Sequence, residues 1–159
     1  MTTTPSSSAP NDPSSNVTVE MTDSYDHGIE DAILAPLKDF NRQTGGISNS
    51  RPLSLVVRDA QGQIVGGLNG TTSWGWLFTK LLVLPESMRG RGLGKQLMLQ
   101  AEAEAIARGC HSAWLDTFEF QGRRSFYERL GYETVATLYN YPTGFGRFVM
   151  QKSLKKPAA

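Results

Sequence analysis

A chain of 159 residues has room for one domain with a sizeable core and little more. Its formal net charge of +1 excludes a global attraction to nucleic acid or to an anionic membrane, so neither is an expected partner. The single cysteine, Cys110, excludes an internal disulfide and fits a reducing, cytoplasmic setting, and with His27 and His111 as the only histidines no metal-ligand spacing arises.

Residues 1–16 are Thr, Ser, Pro and Asn with almost no apolar content, which predicts a disordered tail. No basic stretch leads into an apolar run there, so a secretory signal is not expected, and no later run is long enough to span a bilayer. Residues 17–21, VTVEM, alternate as a first strand would. Asp26 or a neighbour then caps a helix whose apolar positions are Ile29, Ile33, Leu37 and Phe40. Pro36 inside that pattern predicts a kink or two short helices. Residues 53–58 and 63–68 read as a hairpin turned by Asp59-Ala60-Gln61-Gly62, with Gly66 and Gly67 marking a bulge or a close backbone approach. Residues 72–78, TSWGWLF, lead into a central strand. A period of two puts Trp74, Trp76, Phe78 and Lys80 on one face and Leu77, Thr79 and Leu81 on the other. Trp74 and Trp76 are packing residues by their spacing, and also candidates to line a pocket.

The rest of the chain is arranged around residues 80–109, KLLVLPESMRGRGLGKQLMLQAEAEAIARG. Leu81, Leu82, Val83 and Leu84 form a short apolar run closed by Pro85, as in a strand covered on both faces. Gly90, Gly92 and Gly94 alternate with Arg89, Arg91 and Leu93, so the backbone can turn tightly and lie bare against a ligand. A helix follows, with Leu93, Leu97, Ala101 and Ala105 on its inner face and Gly109 as its stop. Free N–H groups at its start, beside Arg89, Arg91 and Lys95, make an anion site suited to a diphosphate. It is not a Walker A loop, because Arg89 and Gln96 stand where that loop needs a glycine and a Ser or Thr. The dinucleotide fingerprint fails too, because Lys95 occupies its third glycine position. Downstream, residues 112–117 read as a strand ending near Asp116, and residues 121–130 as a short helix with Phe126 and Leu130 inward. Residues 133–139 and 146–153 complete the pattern as two strands joined by the loop NYPTGF at 140–145.

Three segments carry a resemblance. RGRGLG at 89–94 resembles motif A, Q/R-x-x-G-x-G/A, of the GNAT superfamily of N-acetyltransferases, and SFYERLGY at 125–132 is similar to that family's FYxxxGF segment. DTFEFQ with the later YPTGFGRF is similar to a poorly defined bacterial subgroup. The resemblance spans residues 17–154 as a single domain, with residues 155–159 as a frayed end. It implies an α/β fold with a mixed, mostly antiparallel sheet of about six to seven strands and helices on both faces. The strand before motif A and the strand at 112–117 would splay apart to admit a pantetheine arm.

The same resemblance implies acetyl-coenzyme A as co-substrate, with its diphosphate on Arg89, Gly90, Arg91, Gly92, Leu93, Gly94 and Lys95. A backbone N–H near Leu82 or Val83, freed by a bulge, would polarise the thioester carbonyl. Tyr127 inherits the role of general acid toward the sulfur. The family's pattern is departed from at Gln121 and Arg124, where Asn and Ala are usual; Gln121 keeps an amide that can reach the pantetheine. Glu119 and Phe145 replace the subgroup's Ser and His, so no histidine serves as acid or base in that loop. Asp116 and Glu119 are then the candidates for base or for cation recognition, and Tyr141 and Phe145 join Trp74 and Trp76 as candidate acceptor contacts. The function implied is acetyl transfer to the amine of a small molecule. Alternatives are a protein or peptide amine as acceptor, another acyl-coenzyme A or an acyl carrier protein as donor, and a non-catalytic acyl-coenzyme A sensor. A homodimer is common in the family.

Overall fold

Turn chemistry and alternation account for most of the elements in this computed structural model, which describes residues 17–23 and 26–154. The chain divides into two units, one up to Phe40 and one from Asn41 onward. The expected tail at 1–16 and the end at 155–159 lie outside the described residues. Residues 17–21 do not form the expected strand, and Val17, Val19 and Met21 are exposed. An alternating pattern becomes a strand only where a neighbour takes up its backbone groups, and no ladder does so here. Helix α1 (His27–Gly45) is capped by Asp26, whose carboxylate accepts from Gly28 N–H at 2.8 Å. It runs through Pro36 as one helix instead of two, since a proline removes one rung and leaves the other rungs in place. Among the described residues no helix is long and apolar enough to cross a membrane.

The sheet has six strands, β1 (Arg51–Arg58), β2 (Ile64–Ser73), β3 (Trp76–Val83), β4 (Ser112–Phe118), β5 (Glu133–Tyr139) and β6 (Gly146–Ser153), in the order β1-β2-β3-β4-β6-β5. Every pairing is antiparallel except β3 with β4, as a mixed, mostly antiparallel sheet requires. The β1–β2 hairpin turns on Asp59, whose side chain accepts from Gln61 and Gln63 N–H, both at 2.9 Å. Gly66 gives the expected close approach, for a Cβ there would stand 2.6 Å from the Val83 carbonyl oxygen. β2 and β3 are separate strands joined by Trp74 and Gly75, both at positive φ in a two-residue turn.

Helices α2 (Leu93–Ala107) and α3 (Arg124–Arg129) cover one face of this sheet. Leu97, Met98, Ala101 and Ala105 of α2 bury themselves among Leu53, Leu68, Leu77, Ala113, Leu115 and Met150. The alanines let the helix axis lie close, and Cys110 is buried just beyond it. The helix expected over 121–130 is instead a 3₁₀ turn (Glu119–Gln121) followed by α3, because Gly122 at φ 62 breaks the path between them. Glu102, 5% exposed, ties the layers together: it accepts from Tyr132 Oη at 3.1 Å and from Lys152 Nζ of β6 at 2.6 Å.

A bulge interrupts β3. Asn69 pairs with Leu81 and Gly70 with Thr79, so Lys80 has no partner on β2. The extra residue reverses which side chains face inward. Leu77 and Thr79 are buried before it, whereas after it Leu82 and Leu84 pack on the core and Leu81 and Val83 are exposed. The continuous alternation expected from the sequence therefore ends at Lys80.

Candidate active site

The two central strands are joined over only a few residues. Trp76, Leu77, Phe78 and Thr79 pair with Ser112, Ala113, Trp114 and Leu115, and there the parallel ladder stops. Beyond it β3 follows β2 as far as Val83, while β4 follows β6 as far as Phe118. The strands part and a cleft opens between residues 80–83 and 116–118. Backbone groups of Leu82 and Val83 that point away from β2 have no ladder partner. The buried hydroxyl of Thr79, at the last joined pair, is also without a hydrogen-bond partner among the described residues.

The glycine elbow stands at the end of β3. Pro85 starts a 3₁₀ turn (Glu86–Met88), and Arg89 Nε donates to the Leu84 carbonyl at 3.0 Å, clipping the elbow to the strand. Gly90 at φ 74 and Gly92 at φ 81 lie in the left-handed region, where a side chain would be strained. Nothing comes within 4 Å of the space a Cβ would fill at either position. The backbone is thus bared toward solvent where α2 begins, and the first N–H groups of the helix lack intrahelical acceptors. Arg91 and Lys95 are exposed there, and Gly94 turns inward onto Phe126 and Leu84. Of the three basic residues, Arg89 is engaged by the Leu84 carbonyl, while Arg91 and Lys95 show no hydrogen bond or ion pair among the described residues.

Tyr127 stands on α3 and is part of the buried core. Its ring is 8% exposed, packed edge-on against Phe126 and Tyr132 at 5.1 and 6.1 Å. Burial holds its phenol above the ordinary value of 10.0; the Arg123 charge works against that shift and the Asp116 charge adds to it. Both residues are therefore electrostatic neighbours of the tyrosine.

Asp116 and Glu119 already have partners inside the protein. Asp116 accepts from Arg147 Nε at 2.7 Å, and the guanidinium lies over the rings of Phe118 and Tyr141 at 4.6 and 5.0 Å. Glu119 accepts from Gly146 N–H at 2.7 Å, fastening the turn after β4 to the start of β6. Gln121 uses its carbonyl oxygen on Thr117 Oγ1 and Phe118 N–H at 3.0 and 3.1 Å, which leaves its amide N–H groups. Arg124 pairs with Glu128 at 2.8 Å and covers the Phe148 ring.

Tyr141 and Phe145 do gather at this end of the sheet, in contact with Phe118 and Phe120. Trp74 and Trp76 do not. Trp76 pairs with Ser112 at the far end of β3, edge-on to His111 at 5.8 Å, and Trp74 sits in the turn beyond it. Seven residue steps of strand separate Trp76 from Val83, roughly 20 Å. Sequence reasoning passed over Arg123, Phe118, Phe120 and Arg147. The period of two carried the signal for one pair: Phe118 and Arg147 are cross-strand partners on the face that Asp116 shares.

Residues 18–132 match the model of the acetyltransferase (GNAT) family. An acetyltransferase of Agrobacterium fabrum is 39% identical over 118 residues, spanning 74% of this chain and 85% of that protein. A blasticidin-S acetyltransferase of Streptomyces morookaense is 36% identical over 112 residues, spanning 68% of this chain and 82% of that protein. Among solved structures, an Agrobacterium tumefaciens protein assigned as an acetyltransferase superposes with a TM-score of 0.80 at 35% identity, covering 86% of this chain and 99% of the other.

Proposed function

Because the chain belongs to the acetyltransferase (GNAT) family, we propose that it moves the acetyl group of acetyl-coenzyme A directly onto the amine of a small molecule. The observation that carries this reading is the parting of β3 from β4 beside a bared glycine elbow. A relative named for blasticidin-S supports a small-molecule acceptor. Supply of the donor fits action in the cytoplasm.

Acetyl-coenzyme A supplies an acyl group already activated as a thioester. Arg91, Lys95 and the first N–H groups of α2 offer positive charge and donors to its diphosphate, and Gly90 and Gly92 let that backbone approach. Unpaired N–H groups near Leu82 and Val83 point donors into the cleft, where negative charge grows on the carbonyl oxygen. Tyr127 keeps its proton at neutral pH and offers it to the departing sulfur. Since its phenol is the weaker acid, it serves mainly as a hydrogen-bond donor to the developing thiolate. Asp116 and Glu119, each engaged by the protein, shape the acceptor end, and water takes the amine proton. Gln121 directs its spare amide toward the pantetheine.

The test is thiol release from acetyl-coenzyme A over panels of small amines and peptides, with the product mass read for the acetyl group. Amine-dependent release with acetylated small amines is expected. Release with peptides alone would shift the acceptor class, faster release from a longer acyl donor would shift the donor, and no release above hydrolysis with any pair would leave a binding protein.

A further inference from the structure

At the mouth of the cleft, polar side chains are spent on one another and rings are left facing out. Glu119 fastens the turn after β4 to Gly146, Gln121 closes that turn on Thr117 and Phe118, and Arg147 answers the charge of Asp116. The Arg147 guanidinium also spans Phe118 and Tyr141, joining the turn to the loop before β6. The Glu119 and Arg147 contacts bind β4's end to β6's start and the Gln121 contacts close the turn itself, so the rings beside them are held in place and do not need to be ordered by a ligand. Phe118 and Phe120 are stacked at 5.1 Å with planes 17° apart, and Phe145 meets Phe120 edge-on at 5.6 Å. Phe120, Tyr141 and Phe145 are nevertheless 54%, 48% and 45% exposed. Half-exposed rings fixed in one cluster mark a recognition surface, whereas lone exposed apolar residues do not. The cluster is continuous with the cleft, since Asp116 and Phe118 lie on the stretch of β4 that β3 has left.

Charge says what this surface prefers. Asp116 and Arg147 pair with each other, while Glu119 meets only the neutral Gly146 N–H. The mouth thus carries one carboxylate with no cation paired to it among the described residues, which suits the acceptor's amine, and the rings select for shape and polarisability. Resting on the acetyl-transfer reading above, we propose that the acceptor carries a planar unsaturated ring that lies on the Phe118, Phe120, Tyr141 and Phe145 cluster while its amine reaches into the cleft. The rings give such a group faces and edges to stack on, which a saturated ring of the same carbon count cannot use as well.

Two probes separate these cases: 2-phenylethylamine and 2-cyclohexylethylamine, compared by thiol release and by calorimetric binding to the full chain saturated with coenzyme A. The planar amine is expected to bind and react roughly three- to tenfold better. That ratio should fall toward one in Phe120→Ala and in Tyr141→Ala, and stay in Tyr139→Ala, whose ring is 85% exposed outside the cluster. Equal or better use of the cyclohexyl amine by the unmodified protein overturns the inference and leaves acetyl transfer standing. A planar preference that survives both cluster substitutions, with folding intact by circular dichroism, overturns the assignment to these rings. Ring-selective binding without thiol release from either amine supports the ring surface and overturns the claim that an amine resting there reaches into the cleft.

Discussion

Tyr127 keeps its proton where an ordinary phenol would give it up, because its ring is taken out of water by Phe126, Tyr132 and the core. Two consequences follow from that sign. The neutral form is favoured in the folded state, so its contribution to stability is fully present below the ordinary value of 10.0 and is lost as pH rises through the higher folded value. The stability difference between wild type and Tyr127→Phe, from urea titrations, should be flat up to about pH 10 and fall as pH rises from there through the folded value. For the reaction, loss of the hydroxyl removes a donor needed only as the sulfur departs. Tyr127→Phe should lower kcat by about 10²-fold or more, with the Michaelis constant for acetyl-coenzyme A little changed. A kcat within about threefold of wild type would reduce the tyrosine to a packing residue.

The elbow and the buried carboxylate of α2 answer different questions about one helix. Gly92, at φ 81, sets the direction in which α2 starts. Gly92→Ala should cost about 1–2 kcal/mol of stability from the left-handed strain and raise the Michaelis constant for acetyl-coenzyme A as well. Lys95→Ala should raise that constant without loss of stability, by a factor that shrinks as salt is added. Farther along, Glu102 depends on Lys152 and Tyr132. Lys152→Met leaves a buried carboxylate without its cation, and urea denaturation should show a loss of about 3–5 kcal/mol. A loss below about 1 kcal/mol would mean that Tyr132 and rearrangement toward water suffice to hold the carboxylate.

How much of these elements the sequence disclosed depends on whether their cause was local. α2, its glycine start, the Asp59 turn and the last two strands are written in periodicity and turn residues, and they stand where those signals put them. The place of Tyr127 on a helix was legible through a short segment. The strand expected at 17–21 depended on a partner that no pattern within it reveals. Trp74 and Trp76 were carried toward the cleft by reading one continuous strand across a turn and a bulge, both fixed by pairing with β2. The ring cluster was hidden for a related reason: Phe118 and Arg147 lie 29 residues apart and meet only because β4 and β6 are neighbours.

From residue 41 onward the molecule is a sheet in two parts, β1-β2-β3 and β4-β6-β5, and the seam is the weak link. The seam holds four residue pairs, whereas β4 and β6 share seven. At its open end, backbone groups of β3 are exposed to water from the β4 side, so their amides exchange readily even in the native state. A ligand seated there would satisfy some of those groups and touch both halves at once. Adding coenzyme A should therefore slow hydrogen exchange over residues 80–83, over 116–118 and at the elbow over 89–95. The remote edges β1 and β5 should gain only what overall stabilisation gives, about 2.7 kcal/mol at a hundredfold excess over the dissociation constant. Protection confined to the elbow would mean that the diphosphate binds while the arm stays out of the cleft. Protection at neither place, at saturating coenzyme A, would remove the seam from the reaction altogether.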